Sequence, residues 1–462
     1  MEEYDLAILG GGPGGYVAAI RAAQLGLTTA IIDQDKLGGI CLNWGCIPTK
    51  ALLKNAEVLD TVKNAKNFGI NIPSYKVDFA KIIKRSRQTS ERISKGIDYL
   101  VKKNNITHVI GRGSFIAKNN IEVKNGRKRV AIQAKYFIIA TGGRPKVHPG
   151  MDFDGKRVIS SKEAMILNQP PKEMVIVGAG AIGAEFAYFY NCYGTKVTSL
   201  EMMDRVLPTE DEEVSKELEK NFLKDGIIIN TNTTVERIET LKTKVKVHAK
   251  HSNKKIVIEG NVVLLAVGIT GNTEDIGFEN IGIKTQEGAV LIDDYGQTTV
   301  PNIFAIGDVT GPPWLAHVAS AQGLVAAEKI AGHPTFPVDY SNIPACTYCQ
   351  PQVASLGLTQ AQARAAGHDI KVGKFNFRSS GKAMAIGSTN GFVKIIFDAK
   401  YGELLGCHII GTEATELIAE LGIAKALEAT WQDLARTVHA HPTLSEAIME
   451  AALDAFGEAI HQ

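Results

Sequence analysis

The sequence predicts an α/β protein built from two copies of one strand–turn–helix–strand unit, followed by a separate C-terminal α+β domain. Three observations carry this. Residues 4–15, YDLAILGGGPGG, run from an apolar strand into glycines and on into the helical pattern AAIRAAQLG. Residues 172–185, KEMVIVGAGAIGAE, repeat that layout and lead into FAYFYNCYG. From Ser341 onward the texture changes to two apolar strand-like runs and long helical patterns.

At 462 residues the chain exceeds one ordinary core, so two to four domains are expected. A hydrophobic content of 45% and a charged content of 22% are those of a soluble globular protein. The formal net charge of +2 offers no bulk electrostatic case for nucleic acid or a membrane surface. No run approaches the ~18 apolar residues of a membrane span. The basic run Lys81–Arg87 reads as a solvated helix face. The first strand begins near Tyr4, so no signal or transit peptide is expected. Six cysteines in so long a chain suit a reducing compartment, with bacterial cytoplasm the preferred location and a processed mitochondrial matrix protein the alternative.

The two units agree in register. Gly10, Gly12 and Gly15 match Gly178, Gly180 and Gly183, and Gly26 matches Gly194. The second strand of each unit, TTAIID (28–33) and KVTSLE (196–201), ends in an acid, Asp33 or Glu201, at the same offset from the first glycine. One such glycine triplet is weak evidence; two in the same strand–turn–helix–strand context are strong and Rossmann-like. The first glycine permits a tight turn, the second lets a pyrophosphate approach the backbone, and the third lets helix and strand pack closely. The helix N-terminus offers unpaired N–H groups and a favourable dipole to phosphates. The acid accepts hydrogen bonds from a ribose diol. Two dinucleotides are therefore expected. Glu201 favours NAD over NADP at the second unit, because a carboxylate repels a 2′-phosphate; Arg205, four residues on, works against that preference.

Each unit later shows another strand ending in glycine. YFIIATGGRP (136–145) brings Thr141 and Gly142 to a strand end, and VVLLAVGITGNT (262–273) brings Gly268. Both are expected to rejoin the sheet of their own unit. NIFAIGDV (302–309) places Asp308 at the C-terminal end of a further strand, where ligands of open α/β sheets sit, and a flavin ribityl chain is a suitable partner. In the C-terminal domain, 392–400 and 404–412 read as strands and 415–429 and 445–460 as helices. The polar, proline-bearing stretch 334–344 marks its boundary.

The segment GGICLNWGCIPTK (38–50) holds Cys41 and Cys46. A zinc site needs four ligands in close pairs, and no further histidine or cysteine is near. Cys346 and Cys349 form a C-x-x-C but also lack close companions. A structural staple closing so small a loop gains little chain entropy. A redox pair fits best. Five residues of regular helix rise roughly 7.5 Å, whereas disulfide-linked Cα atoms lie about 5.5–6 Å apart. The turn is therefore expected to be distorted at Gly45 and Pro48, and the bond reducible and somewhat strained. Cys192 and Cys407 read as core thiols, and Trp44 as packing against the site.

With these motifs in order along the whole chain, the sequence resembles the flavin-dependent pyridine nucleotide–disulfide oxidoreductases. Within that family it is most similar to the branch that oxidises protein-bound dihydrolipoamide, on DRVLPTEDEEVSKE (204–217), YCQPQVASLGLT (348–359) and HAHPTLSEAIMEAA (439–452). The resemblance implies FAD and NAD as cofactors. It implies an FAD-binding domain at 1–148, an NAD-binding domain at 149–272, a central segment at 273–342 completing the FAD site, and a dimerisation domain at 343–462. Cys41 is implied as the interchange thiol and Cys46 as the charge-transfer thiol, with electrons passing from substrate to the Cys41–Cys46 disulfide, to FAD and to NAD+. His441 is implied as the acid–base catalyst, oriented by Glu446 and contributed across an obligate homodimer. Lys50 is implied beside the flavin, paired with Glu185. Lipoyl-bearing proteins are the implied partners: the acyltransferase of a 2-oxo acid dehydrogenase complex or the glycine-cleavage carrier protein.

Other readings remain beside this one. His439, His441 and Glu446 also suit a metal site or a helix start, and Lys50 a solvated helix position. An NADPH-dependent reductase of another disulfide is the runner-up activity, and a non-catalytic FAD/NAD scaffold the third. Mercuric reductases resemble the chain but carry a C-terminal cysteine pair, and no cysteine follows Cys407. Three positions depart from the family pattern: Ile40, where threonine is common, and Val318 and Gln322, where charged residues are common.

Overall fold

The computed structural model describes residues 2–461, which divide into two compact units. The first comprises the described residues up to Leu52, Ala80–Lys146 and Gly268–Val338. The second comprises Leu53–Phe79, Val147–Val267 and the described residues from Asp339. No helix among the described residues is long and apolar enough to cross a membrane.

The first unit is organised by a parallel sheet. Strand Glu2–Leu9 lies between Thr29–Asp33 and the C-terminal half of Lys128–Ile139, with Thr107–Ile110 beyond one and Ile303–Ala305 beyond the other. The strand expected to end at Thr141 and the one expected to end near Asp308 thus both rejoin this sheet. The N-terminal half of Lys128–Ile139 turns antiparallel and pairs with Asn120–Asn125. Near-continuous apolar strands suit a sheet covered on both faces, and Leu6, Ala7, Ile8, Ile31, Phe137 and Ile138 are all buried.

The second unit repeats the plan and adds another. Its parallel sheet runs Ile228–Asn230, Lys196–Leu200, Glu173–Val177, Val262–Leu265, Val158–Ile159. An antiparallel sheet runs Ala345–Thr347, Gln352–Gly357, Leu404–Gly411, Phe392–Asp398, Ile370–Asn376. Helices Ala414–Ala426 and Glu446–Asp454 contribute Ile418, Leu421, Ile448 and Ala451 to the core that covers this sheet. The last helix stops short of the expected 445–460. Gly457 takes φ +77°, and the buried Glu450 carboxylate accepts the backbone N–H groups of Ile460 and His461, folding the tail back.

A buried ion pair joins the segment 204–217 to the antiparallel sheet. Lys394 Nζ lies 2.8 Å from Asp211 Oδ1 and 2.8 Å from Glu213 Oε1, and the Lys394 and Asp211 side chains are 2% and 3% exposed. Burial opposes the Asp211 charge, but the Lys394 hydrogen bond and charge outweigh it and hold the carboxyl below its usual range. That contribution is present at neutral pH and is lost as pH falls through the depressed value. Lys394→Met leaves Asp211 charged and uncompensated, and is expected to cost about 3–5 kcal/mol, read from the urea unfolding midpoint.

Candidate active site

The two glycine loops are built alike. Gly10 (φ +110°) and Gly178 (φ +97°) occupy backbone conformations that side chains disfavour, and a Cβ would stand 2.1 Å from Ala140 O and 2.4 Å from Ala266 O. At Gly15 and Gly183 a Cβ would come within 1.9 Å of the carbonyl oxygens of Gly10 and Gly178. At Gly180, the N-cap of helix Ala181–Cys192, a Cβ would meet nothing within 4 Å, and at Gly12, the N-cap of helix Pro13–Gln24, only Gly39 Cα at 3.9 Å. There a side chain would fill the room that a pyrophosphate needs. The acids brace the loops: Asp33 Oδ2 accepts from Gly11 N at 2.6 Å, and Glu201 Oε2 from Ala179 N at 2.7 Å. Burial pushes the Asp33 carboxyl up, countered in part by the Asp35 and Gly11 N–H groups.

The rest of the first site gathers around this loop. Thr141 and Asn272 hold each other through Thr141 Oγ1 to Asn272 O and Asn272 Nδ2 to Thr141 O, and Gly142 O accepts from Asn272 N. Gly268 lies in this first unit, with Lys146 N donating to its carbonyl. Asp308 lies in the short 3-10 helix Gly307–Thr310. Burial alone pushes its carboxyl up, and its side chain makes no hydrogen bond with the described residues. A desolvated acceptor without a protein donor fits a hydroxylated ligand chain. Gln322, at a position where the family often has a charge, is buried and accepts from Gly307 N at 2.6 Å, a bond that a carboxylate would make equally well.

The cysteine segment is pinned to the same loop by Gly38 N to Gly11 O at 2.7 Å. Helix Gly39–Trp44 ends just before Gly45, whose φ −146° and ψ −114° are not helical, and helix Cys46–Lys63 begins immediately after. A Cβ on Gly45 would lie 3.0 Å from Ile40 O, so glycine permits the break. Pro48 falls in the first turn of the new helix, where no N–H partner is lost. Cys41 and Cys46 flank the break at Gly45, one in each helix, and both are partly buried. A hydrogen bond with Cys46, burial and the Cys46 charge push the Cys41 thiol far up, while Lys50 pulls it down.

Sequence reading missed what holds this segment. Ser86, Ser90 and Ser94 of helix Phe79–Lys103 are buried and donate to the carbonyls of Pro48, Leu42 and Leu37. Arg87 donates to Asn43 O, and its guanidinium lies 4.1 Å above the Trp44 ring. The run Lys81–Arg87 is thus solvated only in part: Lys81, Lys84 and Arg85 are exposed, but Ser86 is buried and Arg87 half-buried. The four-residue spacing of the serines, one face of a helix, was the available signal.

In the second unit His441 Nδ1 lies 2.9 Å from Glu446 Oε1, and Glu446 Oε2 accepts from Thr443 N at 2.8 Å. The His441 ring is 79% exposed, and its Nε2 has no partner among the described residues. Burial would raise the Glu446 carboxyl, but the Thr443 N–H and the His441 hydrogen bond and charge hold it below the usual range. The carboxylate therefore stays ionised and fixes the Nδ1–H tautomer, leaving Nε2 as a base. Glu185, buried on helix Ala181–Cys192, accepts from Tyr348 N at 3.0 Å. Among the described residues no group of three or more His, Cys, Asp or Glu side chains could hold a metal ion.

Residues 4–323 match the family described as pyridine nucleotide-disulphide oxidoreductase, and residues 343–452 match its dimerisation domain. The chain belongs to the pyridine nucleotide-disulphide oxidoreductase family. It is 46% identical to a dihydrolipoyl dehydrogenase of Rhizobium etli, over 100% of this chain and 99% of the relative. It is 43% identical to that of Bacillus subtilis over 99% of each, and 47% identical to that of Mycobacterium leprae over 97% of each. Among solved structures, LpdA of Mycobacterium tuberculosis is similar with a TM-score of 0.91, 27% identity and coverage of 98% and 99%. The HOCl-induced flavoprotein disulfide reductase RclA of Escherichia coli is similar with a TM-score of 0.87, 27% identity and coverage of 97% and 99%. As a member of the pyridine nucleotide-disulphide oxidoreductases, the protein uses FAD and NAD and forms a homodimer through its dimerisation domain.

Proposed function

We propose that the protein acts as a dihydrolipoyl dehydrogenase, oxidising protein-bound dihydrolipoamide to lipoamide while NAD+ becomes NADH and one proton is released. The observation that carries this is full-length identity of 43–47% to relatives of that name, in a chain that holds Cys41, Cys46, His441 and Glu446. Both LpdA and a disulfide reductase share the fold at 27% identity, so the fold alone does not choose between them.

Bound FAD carries the electron pair between the cysteine couple and NAD+. Gly10, Gly12, Gly15, Asp33, Thr141, Gly142, Asp308 and Lys50 hold the flavin. Gly178, Gly180, Gly183 and Glu201 hold NAD. The nucleophile in disulfide exchange is a thiolate, so a substrate thiol must first lose its proton. His441 of the partner subunit takes that proton at Nε2, and Glu446 of the partner subunit keeps the ring in the required tautomer. Cys41 exchanges with the substrate sulfurs. Cys46 is the charge-transfer thiol beside the flavin. The dithiol arrives on a separate lipoyl-bearing protein in the cytoplasm.

The test is steady-state turnover of dihydrolipoamide with NAD+ and with NADP+, beside glutathione disulfide reduction by NADPH. Strong activity with the first combination alone is expected; preference for NADPH and glutathione disulfide would overturn the reading. Glu201 carries the coenzyme preference, since Ala179 N and Met203 N fix both its oxygens. Glu201→Ala removes a charged hydrogen-bond acceptor. It is expected to lower kcat/KM for NAD+ by roughly 10- to 100-fold and to narrow the preference over NADP+.

A further inference from the structure

We infer that His439, clamped by Glu420, is the positioning residue for the loop that presents His441. This rests on the role proposed for His441 above. From Arg436 to Pro442 every residue except His439 is exposed, Val438 at 95%. The His439 side chain is 5% exposed. Its Nε2 lies 2.7 Å from Glu420 Oε1, and its Nδ1 lies 2.9 Å from Thr437 O. A carbonyl and a carboxylate only accept, so each ring nitrogen faces an acceptor and the ring is held at both ends. One end of the clamp is helix Ala414–Ala426, which carries Glu420 and is anchored in the core by Ile418 and Leu421. The other end is the loop backbone itself.

The arrangement complements the His441–Glu446 pair two residues on. His441 uses one nitrogen and keeps the other available; His439 uses both and keeps none. Beyond His439 the loop is closed by Thr443 Oγ1 to Ala440 O and by Thr443 N to Glu446 Oε2. When protonated, His439 also lies close enough to Glu446 to help hold that carboxylate ionised, after the Thr443 and His441 contributions. His439 therefore acts through His441, by fixing where its base nitrogen stands and by favouring the carboxylate that orients it.

The experiment uses the FAD-loaded full-length protein and His439→Ala, His439→Gln and Glu420→Gln. A misplaced catalytic group costs up to about 100-fold, so His439→Ala is expected to lower kcat for dihydrolipoamide oxidation by roughly 30- to 100-fold, with KM little changed. NADH-driven ferricyanide reduction, which needs no dithiol proton transfer, is expected to persist. His439→Gln, whose amide still donates to Glu420, is expected to recover most of the loss. Unchanged kcat, or equal loss of both activities, overturns the inference. Hydrogen exchange of residues 437–445 gives a second readout independent of substrate. Faster exchange in His439→Ala supports the clamp, and unchanged exchange overturns it. If His439→Ala fails to fold, Glu420→Gln is read in the same two ways. A wild-type chain that reduces ferricyanide but does not oxidise dihydrolipoamide contradicts the functional reading instead, and the exchange comparison then decides the clamp alone.

Discussion

Cys46→Ser is expected to reduce NAD+-linked dihydrolipoamide oxidation by roughly a thousand-fold or more, because a serine hydroxyl neither forms a disulfide nor ionises near neutral pH. Cys41→Ser is expected to do the same by a different route, removing the sulfur that meets the substrate. Neither change touches the glycine loops, Asp33 or Glu201. NADH-driven reduction of a dye should therefore survive in both, and flavin content should be unchanged. Steady-state assays with the two acceptors measure both effects. Retained dithiol turnover in either variant would remove the cysteine couple from the reaction.

His441→Ala is expected to lower the same turnover by about 10²- to 10⁴-fold, the range of a positioned acid–base group. Glu446→Gln should cost less. It retains an oxygen that can accept from His441 Nδ1, but loses the charge that favours the protonated ring. The Glu446 carboxyl is held below its ordinary range by Thr443 N–H and His441, so its orienting charge is present at neutral pH and is lost only as pH falls through that depressed value. The quantity to measure is kcat/KM for dihydrolipoamide across pH, in both variants. Equal losses in the two would mean that Glu446 does more than orient the ring.

The repeat was readable because its constraints are local. A turn at Gly10 or Gly178 and a close helix–strand approach at Gly15 or Gly183 each demand a residue type within a few positions. The break at Gly45 followed from the same kind of argument, a helical rise set against a disulfide span. What escaped depends on partners distant in sequence. Ser86, Ser90 and Ser94 look like a polar helix face until the carbonyls of Leu37, Leu42 and Pro48 are placed against them. His439 reads as a helix-start or metal-binding histidine until Glu420, 19 residues earlier, is found at its Nε2. The last helix ends at Asp454 although apolar residues continue past it. The Glu450 carboxylate, which turns that tail back, cannot be told from a surface acid by its letter alone.

The most direct test of the account is a thiol map of the FAD-loaded protein. Air-oxidised protein is alkylated before and after one equivalent of dihydrolipoamide, and the cysteine peptides are identified by mass spectrometry. The account predicts that Cys41 and Cys46 are protected as one disulfide before the dithiol is added and become alkylated together after it, while Cys192, Cys346, Cys349 and Cys407 do not change. A response confined to Cys346 and Cys349, or no change at Cys41 and Cys46, would contradict it.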